Sequence, residues 1–158
     1  MDIKRELEVM KEVKEANERH LQEWKDSMML AVYVDVYDTG RAKTIRIARD
    51  LEEYYRLIGC DTVTMPMRYI GGKQFIIIAD DEGTFRKDCR VSAMNGDEPM
   101  LVGNLLVVAF DGVEDIRGLT KEEADHVLQH TKGRGRMDKK GRLDIWEILT
   151  DVTYSEED

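Results

Sequence analysis

The stretch that decides the fold runs from Gln74 to Leu119 and reads QFIIIADDEGTFRKDCRVSAMNGDEPMLVGNLLVVAFDGVEDIRGL. It contains two apolar runs, Phe75–Ala79 and Leu105–Phe110, and each run is too short for a core helix. β-Branched and aromatic residues are frequent in both runs, and turn residues bound them, which is typical of strands. We therefore expect two strands, buried on both faces, side by side at the centre of one sheet.

Other stretches add strands around this centre. Residues 30–37, LAVYVDVY, place valine at every second position, and residues 42–48 alternate again after an Asp-Thr-Gly turn signal. This pattern predicts an antiparallel hairpin. Residues 60–67 are a further strand candidate, and we expect residues 100–110 to form one strand that is bent or bulged at Gly103.

Two short inner helices are indicated by the residue types at their ends. Asp50 is suited to the N-cap of the first helix, and Gly59 is suited to end it. The sequence from Thr120 to Glu123 is a capping box, which begins the second helix. The apolar spacing extends this second helix to about Thr131.

The C-terminal part of the chain begins with cations. Residues 132–142 hold six lysines and arginines against one aspartate, and we interpret them as a basic loop. Residues 143–154 have apolar side chains at helical spacing, which predicts a C-terminal helix. The alternation of Leu143, Ile145 and Glu147 leaves a strand as the alternative.

The N-terminal stretch 1–29 gives the clearest helical pattern. Two polar residues, Lys14 and Asn17, interrupt its apolar seam. In one interpretation, the second half of this helix packs on the domain while the first half projects. In the other, the helix pairs with a second chain as a short coiled coil and forms a homodimer, with Asn17 fixing the register. The apolar seam positions are Ile3, Leu7, Met10, Leu21, Trp24 and Met28.

These elements predict an α+β fold. We expect a mostly antiparallel or mixed sheet of about five strands, an N-terminal helix, two short inner helices and a C-terminal helix. The length of 158 residues suits one core. The expected division is an amphipathic helical arm at 1–29, a core domain at 30–132, and a basic loop, C-terminal helix and acidic tail at 133–158.

The composition limits the classes of partner. The net charge of -9 opposes general binding to nucleic-acid phosphates, so we expect no nucleic-acid partner. No apolar run approaches the ~20 residues that cross a bilayer, and no secretory signal precedes the first helix, so we expect a cytoplasmic protein without a membrane contact. Cys60 and Cys89 stand in no metal-binding spacing, and we expect both thiols to be reduced, with a disulfide between them as the alternative.

Two groups of residues could carry metal chemistry. The turn Asp80-Asp81-Glu82 follows a buried strand, and its carboxylates could hold Mg²⁺ or Ca²⁺ in a small hydrolase. Adjacent side chains point in different directions, however, and a solvated turn has the same composition. His126 and His130 share a helix face, but the glutamate of the H-E-x-x-H zinc motif is absent. We therefore expect no metal, no cofactor and no catalytic residue.

Cations in two stretches predict the binding residues. Arg86 and Lys87 open the least regular segment, 86–99, and Arg134 and Arg136 lie in the basic loop. In an acidic chain these are local concentrations of positive charge that could contact phosphate or another anion. The predicted partner is therefore a small anionic ligand or a host protein.

Five short motifs follow one another in a fixed order in the middle of the chain. They are Leu57-Ile58-Gly59, Phe75–Ala79, Asp81-Glu82-Gly83, Val102-Gly103-Asn104 and Ile116–Thr120. With these motifs, residues 31–127 resemble a small domain family of unknown function that is encoded mainly by phages, plasmids and conjugative elements of Gram-positive bacteria. The resemblance implies a non-catalytic accessory protein of a mobile genetic element, and it supplies no catalytic residues.

Overall fold

The structure is a computed structural model of the chain. It describes residues 2–37, 42–83, 90–96, 98–112, 115–137, 143–149 and 152–154. Side-chain environments are described in these ranges except at 24–26, 133–137, 143–149 and 154.

The described residues form three helices and twelve strands. The helices are α1 (Ile3–Ser27), α2 (Leu51–Ile58) and α3 (Lys121–Gln129). The first six strands are β1 (Met28–Val34), β2 (Ala42–Ala48), β3 (Val63–Thr64), β4 (Met67–Ile70), β5 (Lys73–Asp80) and β6 (Val91–Asn95). The others are β7 (Glu98–Val102), β8 (Leu105–Phe110), β9 (Ile116–Arg117), β10 (Thr131–Met137), β11 (Leu143–Leu149) and β12 (Val152–Tyr154).

The two apolar runs are neighbouring central strands, as predicted. β5 and β8 are antiparallel, with Ile77 opposite Val107 and Ala79 opposite Leu105. They belong to an eight-stranded sheet of order β12-β4-β5-β8-β1-β2, in which β3 also pairs with β5 and β9 with β8. The predicted hairpin is also present, because β1 and β2 pair antiparallel along their whole length.

This main sheet is covered on both faces, which explains why its central strands do not alternate with polar residues. On one face, Ala124 and Val127 of α3 join the cluster that contains Val107. On the other face, Tyr54 and Ile58 of α2 join a second cluster. Burying each large apolar side chain contributes about 1.5–3 kcal/mol, so these two clusters dominate the stability of the domain.

The inner helices are capped as predicted. The Asp50 side chain accepts a hydrogen bond from the Glu52 N–H at 3.2 Å, and α2 ends at Gly59 in the left-handed conformation, with φ 78°. At α3, the Thr120 hydroxyl accepts from the Glu123 N–H at 3.1 Å, and the Glu123 carboxylate accepts from the Thr120 N–H at 2.9 Å. These bonds satisfy helix N–H groups that have no partner inside the helix.

The expected single strand at 100–110 is wrong, because the chain breaks at Gly103. β7 before the break belongs to a second sheet of order β10-β11-β6-β7, whereas β8 after it belongs to the main sheet. Gly103 has φ 83°, and its N–H donates to the Arg90 carbonyl at 2.8 Å. A left-handed residue turns the chain out of the strand direction. The predicted count of about five strands is therefore too low.

The predicted C-terminal helix is also wrong, since residues 143–149 form β11 and residues 152–154 form β12. The predicted basic loop is wrong at its beginning, because Thr131–Met137 is strand β10 and pairs with β11 in one unbroken antiparallel register. α3 consequently ends at Gln129 and not near Thr131. The apolar positions of residues 143–149 fit both the period of a helix and the period of a strand. Pairing with β10 decides for the strand, because only an extended backbone can form hydrogen bonds along a neighbouring strand.

Helix α1 is longer than either inner helix, and its side chains contact little of the domain. Every described side chain from Asp2 to Glu23 is exposed except Ala16, which is half-buried. Leu21 is 53% exposed, so the expected packing of the second half of the helix on the domain is wrong at this residue. Among the described residues, no helix has both the length and the apolar character to cross a membrane.

Candidate functional site

The ends of several central strands lie side by side at one end of the main sheet. Leu105, the first residue of β8, lies opposite Val34 at the end of β1 and opposite Ala79 near the end of β5. Val34 also lies opposite Ala42, the first residue of β2. We call the polar side chains at this place the polar edge, and they are Tyr33, Asp35, Tyr37, Lys43, Arg90 and Asn104.

Asn104 is the buried centre of the polar edge, with only 7% of its surface exposed. Its Oδ1 accepts a hydrogen bond from the Val36 N–H at 2.8 Å. Its Nδ2 lies 3.3 Å from the Tyr33 hydroxyl and 3.5 Å from the Leu57 carbonyl. One amide side chain therefore joins the end of β1, the start of β8 and the last turn of α2.

Tyr33 completes this bridge. Its hydroxyl donates to the Leu57 carbonyl at 2.5 Å. Burial, and then the nearby Asp35 carboxylate, raise the pKa of Tyr33 to about 12. The phenol therefore stays protonated at physiological pH and serves as a hydrogen-bond donor. Across the hairpin, the Lys43 ammonium lies 5.8 Å from the centre of the Tyr33 ring.

Arg90 and Tyr37 form the outer part of the polar edge. The Arg90 Nη1 donates to the Val36 carbonyl at 3.0 Å, and the guanidinium carbon lies 5.6 Å from the centre of the Tyr37 ring. Tyr37 is 44% exposed, and its backbone N–H donates to the Asp35 carboxylate at 3.0 Å. A cation and an aromatic ring are thus held together at the surface, at a distance typical of cation–π pairs.

The acidic turn after β5 has a local structural role. The Asp80 carboxylate accepts from the Glu82 N–H at 2.9 Å, and the Asp81 N–H donates to the Thr62 carbonyl at 3.2 Å. These bonds fix the turn at the end of the strand. Within the part of the chain that the structure describes, no group of three or more histidine, cysteine, aspartate or glutamate side chains could hold a metal ion.

The two helical histidines pack against the β4–β5 turn. The His126 Nε2 lies 2.8 Å from the Ile70 carbonyl, and the His130 Nδ1 lies 2.8 Å from the His126 carbonyl. A carbonyl only accepts, so each of these ring nitrogens carries the hydrogen. An added Cβ at Gly71 would lie 2.4 Å from the His130 ring, so the turn and the imidazole are in close contact. The pair therefore joins α3 to this turn.

The four residues predicted to bind a ligand are not brought together among the described side chains. Arg86 and Lys87 lie outside the described residues, although Arg90, which follows their segment, belongs to the polar edge. Arg134 and Arg136 lie on β10, the outer strand of the second sheet. Their role in binding stays a prediction.

Sequence reasoning missed Asn104, Arg90 and Tyr37 as members of one cluster. The available signal was the Gly103-Asn104 pair directly before an apolar strand, since glycine permits a sharp turn and a buried amide needs partners. The partners themselves could not be read from the sequence, because Val36 stands 68 residues before Asn104.

The comparison with protein families gives one match. Residues 29–132, about two-thirds of the chain, match the family model described as "Domain of unknown function (DUF3846)". No curated protein and no solved structure matches the chain. The matched range begins at the second residue of β1, ends within β10, and contains every residue of the polar edge. The chain therefore belongs to the DUF3846 family of domains of unknown function.

Proposed function

We propose that this chain is a non-catalytic binding protein of a mobile genetic element and that its polar edge contacts a small anionic ligand. The observation that carries the proposal is the Arg90 guanidinium carbon, which lies 5.6 Å from the centre of the ring of Tyr37, a residue that is 44% exposed. This pair lies inside the family domain, where a function common to the family is expected.

The chemistry of the pair defines the class of ligand. A guanidinium recognises phosphate or carboxylate through two parallel N–H groups, and an aromatic ring stacks on a planar group. A nucleotide has both parts, a planar base and a phosphate. Lys43, exposed on the neighbouring hairpin, adds a second cation at the same edge.

The charge distribution in the sequence supports the same class. The stretches 38–43 and 84–90, which both connect to this edge, together hold five cations and two carboxylates. The whole chain has a net charge of -9, so these stretches are local exceptions. A local excess of cations in an acidic protein favours a small anion over an extended nucleic acid.

The association with a mobile element is supported by the resemblance of the turn and strand motifs to domains that phages and plasmids encode. The genes beside the coding sequence test this part of the proposal. Integrase, capsid or conjugation genes nearby are the expected result. A conserved housekeeping operon around the gene would contradict it.

A thermal-shift panel of mono-, di- and cyclic nucleotides tests the ligand. A nucleotide at 100 times its dissociation constant should stabilise the protein by about 2.7 kcal/mol. Tyr37→Leu and Lys43→Gln should each reduce this gain. Lys73→Gln is the matched control, since Lys73 is exposed and begins β5 at the opposite end of the sheet. The proposal fails if no nucleotide raises the melting temperature, or if the control variant loses the gain equally.

A further inference from the structure

Helix α1 exposes an apolar face that the domain does not cover. Its large side chains are more than half exposed: Ile3 71%, Leu7 59%, Met10 68%, Val13 54% and Leu21 53%. Single exposed apolar residues are ordinary on a soluble protein, but several large ones on one side of a helix mark a site of interaction, even where Lys14 and Asn17 interrupt them.

From Asp2 to Glu23, the helix also lacks the buried side chains that usually stabilise a helix in water. Isolated helices are marginal, and most helical stability comes from burying an amphipathic face. α1 ends at Ser27, and the family match begins at residue 29, so the helix is an addition to the domain. An added helix of 25 residues with an uncovered apolar face needs a second surface.

We propose that this surface is α1 of a second copy of the chain, arranged antiparallel. The polar residues decide the arrangement. In a parallel pair, Lys14 would face Lys14 of the second copy in the core. In an antiparallel pair, Lys14 faces Asn17 of the second copy, and Met10 faces Leu21 of the second copy. The antiparallel seam thus replaces a contact between like charges by a hydrogen-bonding contact.

The charges beside the middle of the seam agree with self-association. In the antiparallel register, Lys11 lies beside Glu18 of the second copy, and symmetry forms this pair twice. The same register places two lysines, Lys4 and Lys25, beside each other only near the helix ends. The helix itself is nearly neutral, with seven carboxylates and six lysines or arginines, whereas the chain carries -9. The two acidic domains then lie at opposite ends of a helix pair about 37 Å long. That separation exceeds the Debye length of about 8–10 Å, so their repulsion is screened.

The mass of the full chain in solution tests the pair. The seam contains the Lys14–Asn17 contact twice and only a few apolar contacts, so the helix pair is weak. Light scattering should therefore be measured over a range of protein concentrations. The expected mass at high concentration is twice 18.3 kDa. Met10→Glu should raise the dissociation constant by about 100-fold or more, since it places a carboxylate in the seam of both copies.

Val9→Glu is the matched control, because it also introduces a glutamate on α1, at a residue that is 51% exposed and lies outside the seam positions. It should leave the dimer intact. A monomeric mass for the unchanged chain at all concentrations overturns the proposal, and so does an equal effect of the two variants. Circular dichroism of both variants should show an intact domain, which excludes a failure to fold.

Cross-linking tests the orientation. In a background with Cys60→Ser and Cys89→Ser, chains with Met10→Cys and chains with Leu21→Cys are oxidised separately and as a mixture. The antiparallel pair predicts a disulfide-linked dimer in the mixture and little in either separate sample. Dimers that form mainly in the separate samples overturn the antiparallel arrangement.

Discussion

Replacing Asn104 by leucine should destabilise the domain by about 2–3 kcal/mol. The Val36 N–H, which donates to the Asn104 Oδ1 at 2.8 Å, would lose its acceptor in a position where Val36 has no exposed surface. An unsatisfied buried donor costs about 1–3 kcal/mol. The Leu57 carbonyl would keep the Tyr33 hydroxyl as a donor, so this acceptor adds little to the loss.

Tyr33→Phe provides the comparison. It removes the hydroxyl from the Leu57 carbonyl, but the Asn104 Nδ2 already lies 3.5 Å from that oxygen and can take its place. The expected loss is therefore about 1 kcal/mol, the net value of one ordinary hydrogen bond. Because the two side chains share partners, the double variant should depart from additivity by about 0.5 kcal/mol or more.

Guanidinium chloride unfolding followed by circular dichroism measures these losses. For a domain of this size, a loss of 2–3 kcal/mol lowers the melting temperature by about 4–12 °C. A loss below about 0.5 kcal/mol in Asn104→Leu would refute the reasoning. The Val36 N–H would then have another acceptor, and the polar edge would not depend on this amide.

Three further results are expected from other residues. The pKa of Glu123 is lowered to about 2 by its hydrogen bond to an arginine, so the stability it contributes is present above pH 4.5 and is lost as the pH falls towards 2. In thermal melts at pH 2 to 5, Glu123→Gln should remove about 1–2 kcal/mol of this change in stability with pH, after allowance for solvent screening. An equal dependence of the melting temperature on pH in the variant and the unchanged chain would contradict this expectation. The pKa of Tyr33 is raised to about 12, so its stabilising effect is complete below pH 10 and is lost as the pH rises through 12. In an alkaline absorbance titration, Tyr33→Phe should remove a component that ionises near pH 12, and loss of a component near pH 10 would disagree. Gly71→Ala should lower the free energy of unfolding by about 1 kcal/mol more than Gly72→Ala. Both glycines have positive φ, but only at Gly71 would the added Cβ press against the His130 ring. Equal losses in urea unfolding would contradict this and show that the ring moves without cost.

The centre of the fold could be predicted because its signals are local. Phe75–Ala79 and Leu105–Phe110 are apolar at consecutive positions and too short for a core helix, so a strand covered on both faces is the structure that fits them. The caps at Asp50 and Thr120 depend on hydrogen bonds within three residues, so the local sequence alone locates them. These elements agree with the structure to within one or two residues.

The errors have a physical cause in pairing between distant segments. Residues 143–149 have apolar positions that fit a helix or a strand, and the presence of β10 as a partner decides between them. Gly103 was expected to bend one strand. Instead its N–H donates to the Arg90 carbonyl, and β7 before it belongs to another sheet than β8 after it. Neither outcome follows from the residues of the segment itself.

The candidate site was harder to predict than the fold. Arg86 and Lys87 were chosen from charge, whereas the described cluster depends on Asn104 and Arg90 reaching the backbone of Val36. Charge marks a stretch in the sequence, but the position of a buried amide depends on which strands become neighbours.

Strand β12 has a consequence for the family domain as a whole. It adds to the outer side of β4, with Val152 opposite Ile70, and both of these residues are completely buried. The family match stops at residue 132, before this strand. In a DUF3846 chain without an equivalent segment, the hydrogen-bonding groups of β4 would be open to any extended peptide. Such a chain would need charged side chains on β4, or a shorter strand, to prevent pairing between molecules.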